Sequence, residues 1–260
     1  MHTLDEVWLS SLTKAINGGA PVSPRGQPTL ELASHQIMVD MRYPVLTVPQ
    51  RKLSYKFMAA EALWIMDGDD ALANIRPWNE RMAEFSDDGV VLAGAYGPPA
   101  AAQFQYVLRT LLQDPDTRQA TLTLWKPNPP VSKDIPCTIA LDYKLRNGEL
   151  HCHAFMRSSD LWLGLPYDVF TFSMMAIYLC SELNEHWSAG QVAPGNLYLT
   201  AASSHLYDRD WEKAVICLLP GLPAKPLPAP PSFWVRQSKD LEHALTRLRE
   251  GSAAHRWWQT

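Results

Sequence analysis

The chain has little net charge: 23 lysines and arginines against 27 aspartates and glutamates in 260 residues leave a formal charge of -4. Such a balance creates no global positive field to draw nucleic acid, so any anion site must be local. Cysteine is also scarce. Cys137, Cys152, Cys180 and Cys217 show no CxxC spacing, which excludes a disulfide scaffold and a zinc-finger layout and leaves free thiols as the expectation. No uninterrupted apolar run approaches the ~20 residues that span a bilayer. The opening MHTLDEVWLSSLTKAI places acidic residues ahead of any apolar stretch, unlike a secretory leader, so a cytoplasmic protein with no membrane partner is expected. Internal repeats and long charge blocks are missing too. There is no HxE element paired with PCxxC, as a zinc nucleobase deaminase would need, because Cys137 is followed by TIA.

What is present is apolar substance: 47% of residues are hydrophobic and 10% aromatic, enough to bury a large core. One domain over residues 1–260 is expected. The proline-rich run Pro220 to Pro231, PGLPAKPLPAPP, cannot be a helix interior, and it reads as a surface connection leading into the strand-like SFWVR.

Between Arg51 and Met66, apolar residues at 53, 57, 60 and 64 follow a helical period, and Glu61 shares their face. A glutamate there is either paired with an arginine or held in a cleft with a raised pKa for proton transfer. The segment TIALDYKLRNGELHCHAFMR alternates around Asn147-Gly148, a two-residue hairpin signal. Counting outward without a bulge sets Cys137 opposite Ser158 and beside Arg157. A neighbouring guanidinium favours thiolate, the nucleophilic form, so Cys137 stands apart from the other cysteines; the alternative is a buried structural thiol. In His151-Cys152-His153 a strand turns the histidines one way and the cysteine the other, and no metal is assigned.

RSSDLWLGLPYDVF, residues 157–170, carries Asp168 where an apolar stretch runs into the helix-like VFTFSMMAIYL. A carboxylate there either caps the helix or serves a site.

Seven segments in order, PRGQPTLELASHQ, AAEALWIMDGD, GAYG, DPDTRQATLTLW, IPC, RSSDLWLGLPYD and SSHLYDRD, resemble the thymidylate synthase superfamily over nearly the whole chain. The resemblance implies an α+β fold, a mixed β-sheet flanked by helices, with one sheet face at a homodimer interface. It implies Cys137 as the nucleophile that adds to C6 of a pyrimidine nucleotide. Glu61 would organise water and proton transfer, and Tyr96 would help remove the C5 proton. Arg25, Arg157 and Ser158 match phosphate ligands, and Arg118 matches an arginine reaching across from the second subunit. His205 and Tyr207 match the pair that holds the sugar hydroxyl. Asp160 matches a contact to the folate pterin, and Trp78 a folate-cleft tryptophan. The co-substrate implied is 5,10-methylenetetrahydrofolate, the partner a pyrimidine nucleoside monophosphate, with no metal and no nucleic acid required.

The departures from the family pattern choose a branch. Where synthases carry an asparagine that reads uracil, this chain has Asp168, whose carboxyl suits cytosine: one oxygen accepts from the 4-amino group and the other shares a proton with N3. Thr138 replaces the usual histidine after the nucleophile and Met156 the usual glutamine before Arg157, as in the phage deoxycytidylate hydroxymethylases. Further similarity is to the CMP hydroxymethylases of nucleoside-antibiotic biosynthesis, of the mildiomycin type. These imply addition of water, in place of hydride transfer, to an exocyclic methylene intermediate. Gln119 stands where a second arginine is common, and the chain ends in HRWWQT in place of the synthase's apolar tail. The competing expectations are a synthase or hydroxymethylase acting on dUMP, and a nucleotide- or RNA-binding protein that keeps the fold without turnover. Pure binding has no use for Cys137, Glu61 and Tyr96 together.

Overall fold

The structure, a computed structural model, describes residues 2–187, 190–219 and 238–250. The Pro220–Pro231 run, SFWVR and HRWWQT lie outside these residues.

Helix α1 (Leu4–Gly18) begins at a capping box: the Thr3 hydroxyl accepts from the Glu6 amide and the Glu6 carboxylate accepts from the Thr3 amide. Two N–H groups that a helix start leaves unpaired are thereby satisfied. Trp8 on α1 is fully buried, and its indole donates to the Leu161 carbonyl at 2.6 Å. This long-range bond ties α1 to the turn just ahead of the Asp168 helix.

A mixed seven-stranded sheet forms the frame. Its strands are β1 (Ala20–Val22), β2 (Thr29–Asp40), β3 (Thr121–Thr123), β4 (Thr138–Arg146), β5 (Glu149–Met156), β6 (Ser159–Asp160) and β7 (Ala193–Tyr207). The order is β1-β2-β7-β5-β4-β3, with β6 also on β7. The β5/β7 and β6/β7 pairs are parallel and the others antiparallel. The remaining helices are α2 (Tyr55–Met66), α3 (Leu72–Ile75), α4 (Gly97–Gln113), α5 (Leu165–His186), α6 (Asp208–Leu218) and α7 (Ser238–Glu250). Helix α5 provides the crossover a parallel pair requires, and it is buried around most of its circumference, as a central helix must be. α7 packs Leu241, Leu245 and Leu248 with Met58, Leu63 and Phe170 of α2 and α5.

The β4–β5 hairpin turns at Asn147 and Gly148 with φ of 54° and 78°, the paired left-handed conformation of a two-residue turn. Along β5, Leu150, Cys152, Ala154 and Met156 face the helices, while His151, His153 and Phe155 face away. On that second face Phe155 is 44% and Ile139 40% exposed. The His151 Nδ1 atom accepts from the Asn196 amide at 3.0 Å, and His153 stacks on Tyr198 with centroids 4.7 Å apart. All four cysteines are free thiols, with Cys152, Cys180 and Cys217 buried. Among the described residues, no helix is long and apolar enough to cross a membrane.

The helical period expected from Arg51 starts later. Lys52 is left-handed at φ 50°, and the Ser54 side chain caps the helix at the Phe57 amide, so the first helical residue is Tyr55. Arg51 instead donates from Nε and Nη2 to the Trp162 carbonyl at 3.0 and 2.9 Å and lies over the Trp162 ring.

Candidate active site

Four elements converge on one depression. Helix α2 contributes Glu61, the residue before α4 contributes Tyr96, the loop into β4 contributes Cys137, and the first turn of α5 contributes Asp168. These four side chains line a cavity of about 160 Å³, together with Trp64, Met82, Leu92 and Asp134. A wider cavity of about 370 Å³ holds Arg25, Arg157, Ser158, His205 and Tyr207. Cys137, Asp134 and Ile135 border both, so the thiol stands at the junction of an acidic, partly aromatic lobe and a polar, cationic one.

The bulge-free hairpin count is off by one residue. A β-bulge between Thr138 and Ala140 pairs Thr138 with Met156, and the Arg157 amide donates to the Cys137 carbonyl at 2.9 Å. Arg157, and not Ser158, therefore lies opposite the thiol. The extra residue at Ile139 is the kind of insertion that re-aims a strand end beside a site. Arg157 also holds the loop: Nε donates to the Pro136 carbonyl and Nη2 to that of Ile135, both at 2.9 Å, with Nη2 3.8 Å from the Cys137 sulfur.

This arginine does not make Cys137 a resting thiolate. Burial pushes the thiol pKa up, Arg157 opposes it, and Asp168, Asp134 and Asp160 add to the rise. Desolvation of the anion outweighs one partly exposed cation, so the sulfur holds its proton in the substrate-free site. The Arg157 charge does favour the thiolate, as expected, but burial outweighs it.

Asp168 is not a helix cap. Gly164 occupies that position, and the Asp168 amide already donates to the Gly164 carbonyl at 3.0 Å as an ordinary member of the first turn. Its carboxyl faces the cavity, where burial and then the charge of Asp160 raise its pKa to about 7. Glu61 is raised to about 8, first by burial and then by the charge of Asp168, with no basic group among the described residues offsetting it. Among the described residues no arginine pairs with Glu61, and its carboxyl lines the cavity. Tyr96 is pushed well above the ordinary phenol range by burial, Asp168 and Cys137. Near neutral pH Glu61, Tyr96 and Cys137 hold their protons, and Asp168 is divided between its two forms.

In the wider lobe, His205 and Tyr207 stand edge to face, with centroids 5.0 Å apart, and His205 Nδ1 is 3.5 Å from the Ser158 hydroxyl. Arg25 sits in a left-handed turn at φ 54°, between Pro24 and Gly26. Asp160 borders neither cavity; one carboxylate oxygen accepts from the Trp162 and Leu163 amides at 2.8 and 2.9 Å, fixing the turn that leads to α5. Trp78 is half-buried beneath the Arg249 guanidinium, 5.4 Å from its centroid, outside both lobes. Arg118 is exposed on the turn between α4 and β3, with Gln119 beside it, and it too lies outside the cavities of its own chain.

Sequence reasoning missed Asp134, Lys133, Glu31 and Ser203, all in the walls. Asp134 accepts from the Gly94 amide at 2.8 Å, clamping the Cys137 loop to the Tyr96 loop. KDIPC does place a carboxylate three residues before the thiol, but contact with Gly94 is not readable from spacing. Thr171, one helical turn after Asp168, has a buried hydroxyl with no protein partner in the small lobe. Such a group is satisfied by water or by a ligand.

A half-buried thiol lies between an arginine-bearing cleft and a carboxylate-lined slot, on a mixed sheet with a central crossover helix. The deoxyuridylate hydroxymethyltransferase of Bacillus phage SP01 is 29% identical over 230 residues, which cover 79% of this chain and 57% of that protein. The chain thus spans little more than half the length of that relative. The thymidylate synthase family matches residues 6–242, from α1 through most of the described chain, and the chain belongs to that family.

Proposed function

We propose that the protein is a methylenetetrahydrofolate-dependent hydroxymethyltransferase that modifies C5 of a cytidine nucleotide, CMP and also its deoxy form dCMP. The observation that carries the base assignment is Asp168, a carboxyl with its pKa pushed up to about 7, in the lobe bordered by Cys137, Glu61 and Tyr96.

The phosphate is held by Arg25, Arg157 and Ser158, whose guanidinium forks suit its oxygens. His205 and Tyr207 bind the sugar, and the base crosses Cys137 into the small lobe. C5 of a pyrimidine is a poor nucleophile until sulfur adds at C6. As the Sγ–C6 bond forms, Cys137 gives its proton to water in the open cleft, N3 takes a proton from Asp168, and the displaced π electrons leave an enamine with carbanion character at C5. The ionised Asp168 then faces N3–H and the 4-amino group, two donors for two oxygens. Uracil offers O4 in place of the amino group. O4 is far less basic than cytosine N3, and an ionised Asp168 repels it.

The small lobe also fits a folate: Trp64, Met82 and Leu92 give a flat apolar wall beside Glu61, and Thr171 presents an unsatisfied hydroxyl. Methylenetetrahydrofolate, when bound, supplies one carbon at the oxidation level of formaldehyde. Tyr96 helps remove the C5 proton. Glu61, in its ionised form, takes a proton from the water that adds to the exocyclic methylene group of the nucleotide. The Sγ–C6 bond then breaks, restoring the aromatic base as its 5-hydroxymethyl derivative.

The second reading, a deoxyuridylate substrate, is favoured by what the phage SP01 relative acts on. The test incubates purified protein with methylenetetrahydrofolate and, separately, CMP, dCMP and dUMP, reading the nucleotide by mass and dihydrofolate by absorbance. Hydroxymethyl-CMP without dihydrofolate supports the proposal. Hydroxymethyl-dUMP favours the second reading, and methylated dUMP with dihydrofolate makes this a divergent synthase.

A further inference from the structure

Among the described residues, the Tyr96 hydroxyl is hydrogen-bonded by one residue, the one that follows the nucleophile. The Thr138 amide donates to the Tyr96 oxygen at 3.2 Å, and the Thr138 hydroxyl lies 3.1 Å from the same atom. Thr138 is wholly buried. The bulge that follows it interrupts the β4–β5 ladder, and the Thr138 amide is directed to Tyr96. Phe172 of α5 stacks on the Tyr96 ring at 6.3 Å and fixes its plane.

The direction of the hydroxyl bond follows from counting protons. A tyrosine oxygen has two acceptor sites and one proton. The small lobe offers the Tyr96 proton acceptors in Asp168 and Glu61, whereas the Thr138 proton has only the Tyr96 oxygen among the described partners. With Thr138 donating twice, its own proton is paired and that of Tyr96 is left to the lobe. With Tyr96 donating to Thr138, the Thr138 proton would be buried and unpaired.

We infer that Thr138 is a positioning residue that fills both acceptor sites of Tyr96 and aims its remaining O–H into the base lobe. The inference rests on the reading of Tyr96 as the group that helps remove the C5 proton. A neutral Tyr96 in this arrangement has no acceptor site left for that proton. It must first pass its own proton into the lobe, to the Asp168 carboxylate left ionised by the transfer to N3, since Cys137 is by then bonded to C6. The phenolate so formed keeps both Thr138 donors and turns its third site to C5. The C5–H bond then breaks, the proton passes to oxygen, and the electron pair stays on the base to complete the exocyclic double bond. Thr138 thus acts on C5 deprotonation and not on nucleotide binding.

The first arm of the test needs no substrate. In protein carrying tyrosine labelled with 13C at Cζ, Tyr96→Phe identifies the Tyr96 resonance. Thr138→Val, which keeps the shape and the amide donor, is expected to move that resonance and shift its ionisation to higher pH; Thr138→Ser restores both. The second arm follows tritium release from 5-tritiated CMP in the presence of methylenetetrahydrofolate. Thr138→Val lowers the release rate about 10-fold to 100-fold, the worth of one hydrogen bond to a charged group, with KM changed by no more than about 3-fold; Thr138→Ser recovers most of the rate. A Tyr96 resonance unmoved in folded Thr138→Val, or release at the wild-type rate, overturns the inference. Wild-type protein that releases no tritium from CMP, dCMP or dUMP would instead sink the proposed function, and the resonance arm would still decide the Thr138 bond.

Discussion

Asp168 and the asparagine that the family resemblance implies for uracil-acting enzymes differ in what they can donate. An amide presents a fixed donor and a fixed acceptor, whereas a carboxyl poised at about 7 exchanges roles by gaining or losing its proton. Asp168→Asn is therefore expected to lower kcat/KM for cytidylate by about 100-fold, one charge-assisted hydrogen bond, and to raise turnover of uridylate. Equal activity on both bases before and after the substitution would refute the role. Glu61 yields a stability prediction. Its pKa rises from 4.5 unfolded to about 8 folded, so the native protein keeps a proton that the unfolded chain loses across that window. Stability contributed by this group is full below pH 4.5, falls as pH rises toward 8 and is flat above. Glu61→Gln should be more stable than wild type at pH 8, by about 2 kcal/mol after allowing for water in the cavity, and equal to it at pH 4. Urea unfolding at both pH values checks the sign. Cys137→Ala should abolish turnover while leaving nucleotide binding within a few-fold, since Arg157 keeps its bonds to the Pro136 and Ile135 carbonyls; calorimetry distinguishes the two effects.

At the scale of elements, the active-site loops are set by close backbone approaches. A Cβ on Gly94 would come within 2.8 Å of the Asp134 backbone and carboxylate, and one on Gly97 within 2.5 Å of the Asp69 carbonyl. Only glycine admits these contacts. Gly97→Ala should destabilise the fold by about 2 kcal/mol, because Asp69 meets it with backbone and cannot swing aside; a thermal midpoint equal to that of wild type would contradict this. The hairpin was legible because Asn147-Gly148 is a local signal. The bulge at Ile139 was not, since it is fixed by the Tyr96 and Cys137 loops, more than forty and a few residues away respectively. The late start of α2 belongs to the same class: the apolar period runs through Leu53, but Ser54 is the better cap.

For the whole molecule, the informative feature is the second sheet face, where Ile139 and Phe155 remain exposed among His151, His153 and Tyr198. We expect this face to pair with a second copy, with Arg118 completing the partner's phosphate site from its exposed turn. Phe155→Arg should yield a monomer by size-exclusion chromatography with light scattering, and lose activity although it lies outside both lobes. A fully active monomer would end the shared-site expectation.

The sequence by itself determined the ingredients: one large apolar core, an Asn-Gly hairpin, a singled-out cysteine, an order of motifs and an aspartate where relatives carry an amide. These are local patterns or matters of composition, and they survive being read one segment at a time. Only the tertiary structure decided the protonation of Cys137, Glu61 and Asp168, the clamp from Asp134 to Gly94, and the grip of Thr138 on Tyr96. Each depends on burial or on groups distant in sequence, and the free energy of a charge follows what surrounds it in space.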